Sequence, residues 1–163
     1  MEQEVWELNL EINDKIMKDA LIYFFERDLK KLIKELDAYQ NEENIWRVSG
    51  EIKNSTGNLS LHLVGNLNHY IGVHLGKSAY SRDREAEFAT KGISRTDLIV
   101  MTENTIQEIT NAILQFPEDW FSRTYPEDVF NESMTYEHFM IHLVSHLNYH
   151  LGQVNYHRRL LDH

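Results

Sequence analysis

The sequence predicts an all-α protein, a four-helix bundle around one core. Three observations carry this. Only two prolines occur, Pro117 and Pro126, and they fall close together, so the rest of the chain is free to be helical. Four stretches space their apolar residues three and four apart, the period of one helix face. No repeat, low-complexity tract or linker divides the chain. Residues 1–163 are therefore expected to form a single domain, of a length that suits one core.

The first helix is expected to start near Asn13 or Asp14, either of which can cap it. Leu21, Phe25, Leu29, Leu32, Leu36 and Tyr39 form its apolar line, with Arg27, Lys30, Lys31, Lys34 and Glu35 on the other face. It ends before residues 40–44. The pattern then breaks from Asn41 to Ser55, where Ile45, Trp46 and Val48 read as a short extended piece, and Gly50 and Gly57 punctuate a loop.

A second helix is expected over residues 58–74, with Leu59, Leu63, Leu67, Tyr70 and Val73 on its apolar side. Gly65 and Gly72 each weaken an isolated helix by up to about 1 kcal/mol, which points to close packing or room for a ligand. Gly76 is placed as a left-handed cap. A charged connection follows, in which Glu85 and Glu87 are the nearest approach to a paired-acid motif and read as a solvated face. Ser94 and Asp97 form a variant capping box for a third helix carrying Leu98, Ile106, Ile109, Ile113 and Phe116, stopped by Pro117. Residues 120–129 have no clear period and read as loop or short strand. Ser133 or Thr135 caps the fourth helix.

The fourth helix concentrates the chemistry. His138, His142, His146, His150 and His157 lie in it, five of the nine histidines in the chain. With His150 at 0° on a helical wheel, Tyr136, Phe139, Leu143, Leu147, Val154 and Leu161 fall between about −20° and +60°, the core-facing stripe. His146 sits at its edge near −40°, while His142 and His138 drift outward to about −80° and −120°, toward the surface. His146 and His150 are thus the pair that points inward, and His62 on the second helix is the third candidate. Three neutral imidazoles and an open position suit Zn²⁺ or Ni²⁺, and Fe or Mn less exclusively. A water in the open position would be acidified. His69 is an alternative to His62. His142 and His157 are alternatives as partners of the ligands, and Asn66, Tyr149 and Tyr156 as groups that touch ligand or substrate. For each of these, ordinary packing is the competing reading.

Composition narrows the function classes. The net charge of −10 and the lack of a basic stripe argue against nucleic acid as a partner. The chain has no cysteine, which excludes disulfides and thiolate ligands. No stretch approaches the roughly 20 apolar residues of a membrane span, and the first residues lack a signal-peptide pattern, so a cytoplasmic protein without membrane contact is expected. No phosphate-loop, dinucleotide or nucleophile-elbow motif occurs.

Three motifs together resemble the DinB-like (DinB/YfiT-like) metalloenzyme superfamily, and in particular a subgroup described as a domain of unknown function. They are His62 within LHLVGNL, the connection SRDREAEF, and HLNYHLGQ, which is similar to the family's H-x-x-x-H-R-G-Q. The resemblance covers nearly the whole chain. It implies an up-down-down-up four-helix bundle, often a homodimer, with a divalent metal on three histidines that map onto His62, His146 and His150. It also implies a small-molecule substrate, with a low-molecular-weight thiol as cofactor in an S-transferase or isomerase, or a hydrolase using water. A non-catalytic, stress-related metal- or ligand-binding protein is the alternative. The chain departs from the family at Leu151, where many members have arginine to hold an anionic group or stabilise helix packing.

Overall fold

The structure, a computed structural model, describes residues 2–117 and 120–163, with side chains described from Lys15 onward. It is all-α: α1 (Glu2–Asp37), α2 (Thr56–Leu67), α3 (Arg84–Ala89), α4 (Arg95–Gln115) and α5 (Tyr136–Leu161). No strand occurs among the described residues, only isolated bridges between Ser49 and Ile52 and between Thr124 and Thr135. Helices α1 and α2 each pack against both α4 and α5, so the four longer helices enclose one core. Among the described residues no helix is long and apolar enough to cross a membrane.

The expected apolar line of α1 is buried throughout, from Leu21 to Tyr39. Its start is corrected: the helix runs unbroken through residues 13 and 14 back to Glu2. The segment ahead of them holds no proline or glycine and is rich in Glu and Leu, so nothing in it stops a helix. The side chains of Asn13 and Asp14 lie outside the described residues. At the other end, the Arg95 guanidinium donates to the carbonyls of Asp37 (3.3 Å) and Tyr39 (2.7 Å), satisfying groups that a helix end leaves open.

The extended piece expected around Ile45 is instead a 3₁₀ turn, Glu42–Trp46. Asn41 explains it, because its side chain accepts the Glu43 N–H and caps the turn. Trp46 then lies against Gly57, where an added Cβ would stand 2.5 Å from the nearest ring atom. Gly57 therefore belongs to a helix contact and not to a loop.

Helix α2 starts at Thr56, capped by Ser55, and every one of its residues is buried. The sequence showed only one apolar side. The short helix α3 covers another: it forms within the charged connection, capped by Asp83, and is fastened by the Asn58 amide, which donates to the carbonyls of Glu87 (3.0 Å) and Thr90 (2.9 Å). Beyond Leu67 the helix widens into a π turn, Asn68–Val73. The left-handed residue after it is Lys77 (φ 55°) and not Gly76. Gly76 serves close approach: a Cβ there would meet the Gly72 carbonyl oxygen at 2.8 Å and Ala112 at 3.0 Å.

Helix α4 opens on the expected capping box, with Ser94 Oγ accepting the Asp97 N–H and donating to its carboxylate. Residues 120–135 form an irregular segment, and Thr135 caps α5. The stripe Tyr136, Phe139, Leu143, Leu147, Val154 and Leu161 is buried as the wheel predicts, and Met140 and Leu151 widen it.

Candidate metal centre

Packing of α2 on α5 brings His62, His146 and His150 together. The His146 Nε2 atom lies 3.3 Å from His62 Nε2 and 3.1 Å from His150 Nε2. The i,i+4 spacing sets the two α5 rings one turn apart, edge to face at 82°, and the bare backbone around Gly65 lets the neighbouring segment close over His62.

The proton inventory decides what this cluster can hold. His62 Nδ1 lies 2.9 Å from Glu87 Oε2. A carboxylate only accepts, so His62 Nδ1 carries a proton, and in the neutral ring Nε2 is a lone pair. His150 Nδ1 lies 2.7 Å from Gln153 Oε1, which by the same reasoning leaves its Nε2 a lone pair. Burial, with the neighbouring His150 and His62 adding to it, pushes His146 down to about 3, so it is neutral near pH 7. A proton on His146 Nε2 can serve one neighbour and leaves the other facing it without a donor. Its Nδ1 is buried with no partner in either tautomer. A divalent cation accepts all three Nε2 lone pairs at once, so the residues present fit a metal.

Glu87 is the residue that sequence reasoning undervalued. Of the expected acid pair, Glu85 is exposed while Glu87 is buried against His62. Burial alone would raise its carboxyl, but hydrogen bonds from His62 and Arg82 hold it below the ordinary range. Arg82 contributes Nε and Nη2 donors at 2.7 and 3.0 Å, a bidentate pair. The available signal was Gly65, three residues after His62: a Cβ at Gly65 would overlap the carboxylate oxygen and stand 2.8 Å from the Glu87 Cδ.

The three Nε2 atoms border a cavity of about 520 Å³, walled also by Asn66, Tyr70, Arg82, Phe88, Phe130, Phe139 and His142. His142 is half-buried on this wall and not at the surface, because Phe130 of the irregular segment covers it at 4.7 Å between ring centroids. Asn66 is buried there with an unpartnered Oδ1.

The remaining candidates go elsewhere. His138 is exposed, as are Tyr149 and Tyr156. His69 turns away from His62, toward Glu127. His157 is buried in a separate network: its Nε2–H donates to the Arg47 carbonyl (2.8 Å), so its Nδ1 accepts from Tyr39 Oη (2.7 Å), which in turn accepts from Thr56 Oγ1 (2.6 Å). Leu151 borders α1 beside Lys31 and Lys34, away from the cavity.

Fold and cluster together define an all-helical protein with a candidate three-histidine metal centre. The chain belongs to the family described as Protein of unknown function (DUF1572), whose match covers residues 13–163. A search of curated proteins found no match.

Proposed function

We propose that this chain is a metal-dependent enzyme of the DinB-like class, a four-helix bundle in up-down-down-up order with His62, His146 and His150 as ligands of one divalent cation. The observation that carries the reading is the convergence of three imidazole Nε2 atoms, with two of the rings anchored from behind by Glu87 and Gln153. A bound Zn²⁺ or Ni²⁺, with Fe or Mn as further options, would acidify a water or a low-molecular-weight thiol placed beside it.

The chain's own residues supply the rest. Glu87 holds the Nδ1 proton of His62 and fixes the ring, and Arg82 holds Glu87. Arg84 at the cavity wall favours a substrate carrying negative charge, and Phe88, Phe130 and Phe139 exclude water from its apolar part. The buried Asn66 carbonyl is placed to accept a hydrogen bond from a substrate or thiol donor. The reaction class is transfer of a small thiol to an electrophile, or hydrolysis. The protein would act as a homodimer in the cytoplasm on a small-molecule substrate.

The test is a turnover screen of the metal-loaded protein with electrophiles and small thiols, and with ester and amide substrates. Turnover that chelator abolishes and metal restores supports the reading. No turnover of either kind by a fully loaded protein would overturn the enzyme assignment.

A further inference from the structure

A second cluster of metal-ligating side chains lies outside the centre described above. His69 Nε2 and His74 Nε2 both point at one oxygen, Glu127 Oε1, at 3.1 and 2.7 Å. The three ligand atoms all lie within 4.8 Å of one another. Two imidazoles and a carboxylate are a ligand set that zinc uses with its remaining positions open.

The backbone makes this convergence. On an α-helix, residues five apart diverge by about 140°. The π turn at Asn68–Val73 widens the helix there, so residues five apart come into register, and the His69 and His74 rings stand 5.3 Å apart between centroids. A π turn interrupts α-helical hydrogen bonding and is found disproportionately at functional positions. Glu127 comes from the irregular segment between α4 and α5, which is also tied to the turn by the Tyr125 hydroxyl donating to the Tyr70 carbonyl (2.8 Å). The rings are partly open to solvent, with side-chain exposures of 25% and 18%, so an ion can reach them. The net charge of −10 favours cations at the surface.

We propose that His69, His74 and Glu127 form a second divalent-cation site, one that clips the 120–135 segment to the end of α2. The same segment supplies Val129 and Phe130 to the wall of the main cavity, so occupancy of the clip fixes that wall. The site does not depend on the three-histidine centre, and its test is arranged to read the two separately.

The experiment is a Zn²⁺ titration of chelator-stripped protein carrying His146→Ala and His150→Ala, which disables the first centre. The clip predicts that about one Zn²⁺ per chain still binds, that adding His74→Ala weakens this binding more than about 100-fold, and that Glu127→Gln weakens it as well. In the otherwise native chain, Zn²⁺ should slow backbone hydrogen exchange across 125–130, and His74→Ala with Glu127→Gln should remove that slowing. No Zn²⁺ bound in the first variant, or binding indifferent to His74→Ala and Glu127→Gln, would overturn the clip. Either result leaves the assignment of the first centre to its own measurement.

Discussion

The Glu87 carboxylate lies against the bare Cα of Gly65, and from there it reaches Nδ1 of His62 at 2.9 Å. A glycine one turn along α2 from a candidate ligand thus makes room for the acid that orients it. Gly65→Ala removes that room. Alanine favours the helix by up to about 1 kcal/mol, but the displaced carboxylate must leave His62 and strain its surroundings, at about 1–3 kcal/mol. The expected outcome is a net loss of stability and a 10- to 100-fold weaker metal affinity, the usual cost of losing such an orienting partner. Thermal unfolding and competition with a chelating dye read the two effects.

Glu87→Gln separates charge from size. Glutamine can still accept from His62, but the buried Arg82 guanidinium loses its counter-charge. We expect the metal-free protein to lose about 3 kcal/mol at pH 7. The folded-state pKa of Glu87 lies below its ordinary 4.5, so its contribution is fully present above that pH and is lost as pH falls below it. The difference between native and Glu87→Gln protein should therefore shrink in urea unfolding below about pH 4.5.

His157 should behave as a core residue and not as a ligand. His157→Ala breaks the Tyr39–His157–Arg47 chain and is expected to cost about 2–3 kcal/mol with metal content unchanged. Burial holds its pKa below the ordinary 6.5, against the Arg47 hydrogen bond that raises it. Below pH 6.5 the unfolded chain then takes up more protons than the folded one, so stability falls as pH drops from there. The slope is at most about 1.4 kcal/mol per pH unit for each such histidine. The conservative His157→Gln variant, compared with the native chain between pH 7 and 5, should show a shallower slope.

Asn66 tests whether the cavity trades stability for function. Its Oδ1 is buried without a partner, so Asn66→Leu should raise stability by about 1 kcal/mol while leaving metal binding intact. Equilibrium unfolding of the metal-free proteins measures it.

Much of this was legible in the sequence, and the failures have physical causes. The stripe on α5 and the inward pair His146 and His150 follow from helical geometry, because burial against neighbours repeats with the helix period. Ser94 is legible as a cap because capping is local chemistry, and of Ser133 and Thr135 it is Thr135 that caps α5. Glu87 was misjudged because its meaning lies 25 residues away, at His62. The burial of α2 on every side depends on α3, a six-residue helix too short to show a period. His142 was placed at the surface because the segment that covers it has no pattern of its own. The π turn was equally hidden: a one-residue widening of the helix leaves no mark in apolar spacing, yet it brings His74 beside His69, with both rings on Glu127.

Elemental analysis of untagged protein purified without chelator or nickel resin reads the three-histidine centre directly. The His74→Ala and Glu127→Gln changes would be present so that only the three-histidine centre is counted. About one divalent metal per chain is expected, falling to background when His146→Ala and His150→Ala are added. Metal content that is unchanged by those two substitutions, or a protein that takes up no Zn²⁺, Ni²⁺, Mn²⁺ or Fe²⁺ on reloading, would contradict it.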